Sequence, residues 1–348
     1  MRSMWFVFFL LPALVLLAGL PIDAGAAGNE TKEPENIRVL TSTFPIYQFT
    51  RNIVQGSTLL DVELMIPSQL GCPHDYALTP QDLFKLGQAQ VFIVNGLGLE
   101  EFLGPPLHQA NPQLRVIDSS SGIADILTYN GEAEGGKHEH GARHAGTPQH
   151  AEHAEAAHGH GEHDHLHEEG HRHDSGPNPH LFASPRMAAL QVMNIAHSLA
   201  AVAPAEKDLY ERNAQAYVQR LHALNEEFQA LGKRLANTHI VTQHGVFDYL
   251  ARDMGLDVVA VITAHPGQEP AAAELLELVH TIKAKKAGAL FIEPQYPDSI
   301  GKTIARESGI ALALLDPVAT GPQQAPLDYY ESTMRTNLTT LADTLGLK

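Results

Sequence analysis

The chain has a single cysteine, Cys72, in 348 residues. That excludes an intramolecular disulfide and every metal site built from several thiolates, such as an iron–sulfur cluster. Basic residues are scarce as well: 23 Lys and Arg stand against 40 Asp and Glu, for a formal charge of -17. Nucleic acid and anionic membrane surfaces repel a chain of that sign. Aromatic residues reach only 6%, with one Trp, yet 44% of the chain is hydrophobic. That is enough to bury proper cores, so wholesale disorder is excluded, and the length suits two domains of ~100–200 residues each. What the chain has in plenty is histidine, 21 in all, nearly as many as its Lys and Arg together.

At the N-terminus, Arg2 precedes an apolar run from Met4 to Leu20, then small residues around Ala24, Gly25, Ala26 and Ala27. A charged start, an apolar middle and an A-x-A-like site predict a cleaved secretory signal over residues 1–26. The run is about 17 residues long and holds Pro12, which is marginal for a membrane span. "LLAGL" resembles a lipoprotein box, but Leu20 stands where a lipidated Cys belongs. The expectation is a soluble protein exported to the periplasm of a Gram-negative cell, not a lipoprotein.

Composition then divides the chain. Between Gly131 and Gly176, Leu166 is the only large aliphatic residue, while His138, His140, His144, His150, His153, His158, His160, His163, His165, His167, His171 and His173 alternate with Gly, Ala and acidic residues. Such a segment cannot bury enough surface to offset its ordering entropy, so residues 131–176 are expected to be a disordered insertion. On either side, short apolar runs alternate with helical patterns. Strands are predicted at Ile37–Phe44, Leu59–Ile66, Val91–Asn95 and Leu114–Ile117, and again at His239–Gln243, Asp257–Ile262, Ala289–Glu293 and Ala311–Leu315. Four strands per half, spaced by helices, is the pattern of parallel α/β units. Between the halves, Tyr210, Ala214, Tyr217, Leu221, Leu224, Phe228, Leu231 and Leu235 recur at steps of four and three, one apolar stripe on a long helix. It suits a core helix of one lobe and a stiff connector across two equally well.

Nine histidines lie outside the insertion. His197, His222 and His280 fall among polar neighbours on helices, His108 in a turn-rich stretch, and His239 at a strand start; each reads as surface or boundary. His74, in "PSQLGCPHDYALTP", follows a predicted strand end. His180 sits in the Pro-pinned "GPNPHLFASP", and His244 caps the first strand of the second half in "VTQHGVFDYL". In open α/β sheets ligands gather at the carboxyl ends of strands, and Pro-flanked loops preorganise a ligand shell. These three are the candidates for a shared metal site, with His265 in "TAHPGQEP" as competitor.

These residues carry a resemblance. "TSTFPIYQFTRNI", "CPHDYALTPQDL", "NGLGLEEFL", "NPHLFASP", "YERNAQAYVQRL", "TQHGVFDYLARDMGL", "IEPQYP" and "LLDPVA", in that order along the chain, resemble the substrate-binding proteins of bacterial zinc/manganese ABC importers. The match is greatest to the periplasmic zinc-binding members with a His-rich loop. The resemblance implies an α/β fold of two similar lobes, each a four-stranded parallel sheet with flanking helices, joined by one long connector helix, with metal in the cleft between them. It implies an N-terminal lobe over 35–200, a connector over 204–236 and a C-terminal lobe over 237–348. It further implies His74, His180 and His244 as ligands, with Asp316 in fourth place and Glu293 as the alternative carboxylate. Two departures stand out: Cys72 replaces the usual Asp near the first ligand, and Asn178 and Phe182 replace Asp and Trp around the second. Cys72 reads as a packed small residue rather than a ligand.

Three imidazoles and a carboxylate suit Zn2+ better than an oxygen-rich manganese site, and manganese members typically carry Glu where this chain has His244. The expected function is high-affinity capture of zinc by a monomer and its delivery to an ABC importer permease. The alternatives are manganese or iron as cargo, or a periplasmic zinc buffer. The insertion would bind further divalent ions weakly, until its imidazoles protonate below pH ~6. A hydrolytic zinc enzyme is disfavoured, because the chain has no H-E-x-x-H helix and Asp316 would fill the position a reactive water needs.

Overall fold

The structure, a computed structural model, describes residues 36–71, 73, 76–128, 176–263 and 270–348. The expected signal, the twelve insertion histidines, Cys72, His74 and His265 lie outside the described residues. No helix among the described residues is long and apolar enough to cross a membrane.

The first half begins with β1 (Ile37–Thr41) and α1 (Phe44–Ile53). The strand expected to reach Phe44 ends at Thr41. Pro45 lies in the first turn of α1, where its fixed φ favours helix and its missing N–H is not needed. β2 (Leu60–Leu64) leads to α2 (Pro80–Gln88), which opens on a capping box. The Thr79 hydroxyl accepts from the Asp82 N–H at 3.3 Å, and the Asp82 carboxylate accepts from the Thr79 N–H at 2.8 Å. β3 (Val91–Val94), α3 (Gly104–Ala110) and β4 (Arg115–Asp118) complete an all-parallel sheet of order β2-β1-β3-β4.

Two long helices follow, α4 (Pro185–Val202) and α5 (Lys207–Gly232). The second half repeats the first: β5 (His239–Thr242), α6 (Asp248–Met254), β6 (Asp257–Val261), α7 (Ala272–Lys285), β7 (Ala289–Ile292), α8 (Ser299–Ser308) and β8 (Ala311–Leu314). Its sheet is also parallel, in the order β6-β5-β7-β8, and α9 (Tyr329–Leu345) closes the chain. In each sheet the winding reverses between the two central strands. Their carboxyl ends are therefore the topological switch points where α/β sheets hold ligands.

The apolar stripe settles the role of α5. Tyr210, Ala214, Tyr217, Leu221, Leu224, Phe228, Leu231 and Leu235 are all buried, in one hydrophobic core that draws on both sheets. Removing each large side chain from water contributes about 1.5–3 kcal/mol. Residues Asn36–Lys348 accordingly form one compact unit, with α5 joining the two lobes. Polar groups pin its flank. Arg220 donates from Nε to Glu331 Oε1 at 2.8 Å and from Nη2 to Asn52 Oδ1 at 2.8 Å, and its guanidinium lies 4.7 Å from the centre of the Tyr217 ring. Asn52 in turn donates to the Leu327 carbonyl at 2.8 Å, and Arg51 to the Ala325 carbonyl at 2.6 Å. The first lobe's α1 is thus tied to the chain entering α9.

Glu331 is nearly fully buried, and Arg220 is its cationic partner. Arg220→Met is expected to lower the unfolding free energy by about 2–3 kcal/mol, measured by urea denaturation. This is below the usual cost of breaking a buried pair, because half of Arg220 is already in water.

Candidate metal centre

His180 and His244 come from opposite lobes and meet. Both are fully buried, with ring centroids 5.0 Å apart and planes at 79°. Each arrives by a different route. His244 lies two residues past the end of β5, in extended backbone at φ -144° and ψ 177°. β7 is the in-register neighbour of β5, with Thr242 opposite Phe291. Two residues on, His244 therefore faces Glu293 across the switch point. His180 comes from the end of the excursion that leaves after β4: Thr128 and Pro177 form an antiparallel bridge, and the chain then turns through Asn178 and Pro179. Ser184 stops this segment by capping α4, its hydroxyl accepting from the Met187 N–H at 3.3 Å.

Hydrogen bonds decide which nitrogen each ring presents. His244 Nδ1 is bonded to Glu293 Oε1. A carboxylate can only accept there, so Nδ1 carries the proton and Nε2 carries the lone pair. His244 Nε2 is buried and has no hydrogen-bond partner among the described residues. His180 Nδ1 lies 2.8 Å from Asn178 Oδ1, and the same oxygen accepts the His180 backbone N–H at 3.0 Å. An oxygen already accepting a backbone N–H is fixed as an acceptor, so the His180 ring also presents the Nε2 lone pair. Two neutral imidazoles with Nδ1 anchored are the arrangement in which histidine binds a metal ion.

Carboxylates surround the pair. Glu293 is fully buried and has both oxygens engaged, Oε1 with His244 and Oε2 with the Gln295 amide at 2.7 Å; its N–H donates to Gln243 Oε1 at 3.0 Å. It serves here as an anchor for His244. Asp316 follows β8, accepts the Val318 N–H at 2.8 Å, and has its backbone clasped by Asn337 at 3.0 and 2.7 Å. Burial raises the Asp316 pKa, the Val318 N–H pulls it back, and the charge of Glu293 adds to the rise. Asp248, at the start of α6, is pushed up to about 6 by burial, against a hydrogen bond from Asn178 and the influence of His244. Carboxyl groups held out of water near each other lower their energy by sharing a cation.

The remaining candidates fall elsewhere. His197, His222 and His280 are exposed, and His239 starts β5 with Nδ1 2.8 Å from the Lys285 carbonyl oxygen. No group of three or more His, Cys, Asp or Glu among the described residues is arranged to hold an ion. Residues flanking His74 do reach the site. A Cβ at Gly71 would stand 2.9 Å from Gln295 Cγ, and Pro73 is buried. The anchoring amides and carboxyls of Asn95, Asn178, Gln191, Asp248 and Glu100 escaped the sequence reading. Only Asn178 left a sign, as a departure from the expected Asp.

With this geometry in place, comparison with known proteins is decisive about kinship. The sequence profile of the zinc-uptake complex component A, periplasmic, matches residues 39–344. The chain belongs to this family. The high-affinity zinc uptake system protein ZnuA of Bacillus subtilis (strain 168) is 29% identical over 353 residues, covering 100% of each chain. The zinc-binding lipoprotein AdcA of Streptococcus pneumoniae serotype 4 is 29% identical over 321 residues, which is 92% of this chain but 58% of AdcA. The chain thus spans little more than half the length of that relative. The solved structure of FpvC from Pseudomonas aeruginosa, in complex with Mn2+, shares the fold with a TM-score of 0.69 at 26% identity, over 89% of this chain and 98% of FpvC.

The floor beneath the two histidines is polar on the His180 side. Asn95, at the end of β3, donates to the Pro179 carbonyl at 2.8 Å and is itself held by Gln191 at 3.0 Å. Glu100 lies below it, buried, accepting from Ser42 at 2.6 Å, the Asn95 N–H at 2.7 Å and the Gly96 N–H at 3.1 Å. Burial pushes the Glu100 pKa up to about 7 despite these donors. Between its ordinary 4.5 and 7, the folded state keeps a proton that the unfolded state has lost, so stability falls as pH rises. Urea unfolding of the protein is expected to show a loss of about 3 kcal/mol from pH 4.5 to 7.5 attributable to this group, absent from the Glu100→Gln variant.

Proposed function

We propose that this protein captures zinc outside the cytoplasmic membrane and delivers it to the permease of an ABC importer. The observation that carries the reading is the pair of buried imidazoles, His180 and His244, 5.0 Å apart between ring centres with Nδ1 of each held by an acceptor. His74 completes three nitrogen ligands, a placement supported by the packing of Gly71 against Gln295. Asp316 supplies the fourth ligand. It retains one carboxylate oxygen beyond the one that accepts the Val318 N–H, whereas Glu293 has both oxygens committed. Neutral imidazoles at ~2.0–2.1 Å with one carboxylate form a near-tetrahedral zinc site. Four protein ligands leave no position for a reactive water, which makes this a carrier site rather than a hydrolytic one.

The kinship fits this reading. The relatives named for zinc uptake and zinc binding cover nearly the whole chain, and the family description places its members in the periplasm. The acidic chain, with its net charge of -17, raises the local concentration of divalent cations around it. The insertion over 131–176 adds weak sites that feed or buffer the cleft. The Mn2+ complex of FpvC makes manganese the competing cargo.

Isothermal titration with zinc and with manganese decides between them. We expect one tight zinc site that binds manganese more weakly; tighter manganese than zinc would overturn the assignment. His180→Ala and His244→Ala should each weaken zinc binding by about 100-fold or more, because a four-ligand site that loses one nitrogen also strands its anchoring acceptor in the interior. Deleting residues 131–176 should lower the number of zinc ions bound at saturation while leaving the single tight site, as read by the same titration. Loss of the tight site on deletion would make the insertion part of it.

A further inference from the structure

Asn178 does more than anchor His180. Every hydrogen-bonding position of its amide is used, and the two ends serve different lobes. Oδ1 faces the first lobe and accepts the backbone N–H of His180 at 3.0 Å and its ring Nδ1–H at 2.8 Å. Nδ2 faces the second lobe and donates to the Gly245 carbonyl at 2.8 Å and to Asp248 Oδ2 at 3.0 Å. Gly245 is the residue after His244, and Asp248 opens α6. The main chain repeats the crossing: the Tyr249 hydroxyl of α6 donates to the Asn178 carbonyl at 2.7 Å. Asn178 itself is fully buried, so no water substitutes for a lost partner without a rearrangement of its surroundings.

An amide is planar and rigid. Whatever fixes its nitrogen end fixes its oxygen end, and here the oxygen decides the orientation and tautomer of the His180 ring. Two hydrogen bonds from the second lobe therefore set the geometry of an imidazole carried by the first. We propose that Asn178 and Asp248 form a cross-lobe latch that presents His180 Nε2 to the ion only when the lobes are apposed. Closure and metal affinity are thereby coupled. Asp248 is a positioning residue that acts through Asn178 and does not touch the ion. The chemistry also accounts for Asn at this position: a carboxylate in its place has no donor for the Gly245 carbonyl and would face the Asp248 carboxyl at hydrogen-bond distance. Separating the lobes, as a permease must to release the cargo, removes both partners of Nδ2 and frees the ring to rotate out of register.

The latch rests on the zinc-capture reading, and its test separates the two. Zinc affinity is measured on the purified protein by competition with a chromophoric chelator, and the His180 tautomer is measured in metal-free protein from its ring 15N shifts. Asp248→Ala should weaken zinc binding about tenfold and Asn178→Ala by about 10–100-fold, the range seen when groups that orient metal-binding histidines are removed. The double variant should be no weaker than Asn178→Ala alone. Asp248→Asn, whose amide oxygen accepts the same bond, should restore affinity to within about twofold of the parent, whereas Asn178→Asp should fall as far as Asn178→Ala. In metal-free protein the His180 ring should be the Nδ1–H tautomer, and a mixture in Asp248→Ala. An Asp248→Ala protein with parental affinity and an unchanged tautomer overturns the latch, as does additivity of the two alanine variants. If Asn178→Ala does not fold, Asp248→Ala and its rescue by Asp248→Asn decide the matter. Parental protein that binds no zinc overturns the metal reading instead, while the tautomer measurement, made without metal, still judges the latch.

Discussion

A buried imidazole needs a partner for its N–H, and the choice of partner determines what its other nitrogen can do. That constraint organises the centre of this protein. Glu293 and Asn178 hold Nδ1 of His244 and of His180, two buried rings whose centres lie 5.0 Å apart between the two sheets. The nearby carboxyl groups of Asp248 and Asp316 have their pKa values raised by the same burial. On the zinc-capture proposal, a divalent cation would take up the His244 Nε2 lone pair and offset these carboxylates.

The topology makes this possible. Two sheets of the same winding bring two switch points together, and the lobes use them differently. In the second lobe, a histidine and the carboxylate that anchors it lie just past the ends of neighbouring strands β5 and β7. In the first, the ends of β1 and β3 are filled by Ser42, Asn95 and Glu100, a closed polar network that holds the Pro179 carbonyl instead of an ion. The first lobe's histidine is delivered from a later segment, resting on that network. One lobe thus brings its histidine just past a strand end and the other on a braced loop, and Asn178 joins the two.

The helix joining the lobes is packed against both. The buried stripe of α5 is shared by the cores of both sheets, and Arg220 ties it to α9 and to α1. A stiff rod buried along its length resists a wide hinge opening. Small displacements are sufficient if affinity depends on a hydrogen-bonded amide, since a shift of about 1 Å takes a contact of about 2.9 Å beyond useful hydrogen-bond range.

Much of this was legible in the sequence. The eight strands among the described residues were visible as short apolar runs, most plainly in the central β3 and β7, which are buried along their whole length. The α5 stripe showed its length and its buried face, because a helix with one dry side must repeat apolar residues every three or four positions. His180 and His244 stood out by sitting at strand ends or in proline-braced loops. What only the tertiary structure decided was how those residues are used. Along the chain Asp316 took fourth place among the expected ligands, with Glu293 as the alternative; in the structure Glu293 lies against His244, because β5 and β7 are neighbours although their sequences are far apart. Asp248 and Glu100 drew no attention along the chain; only packing, which removes their water, makes them distinctive. Local sequence carries periodicity and turn chemistry, which are short-range properties. The pairing of a ring nitrogen with an acceptor from another strand, or of an amide with another lobe, exists only once long-range contacts have formed.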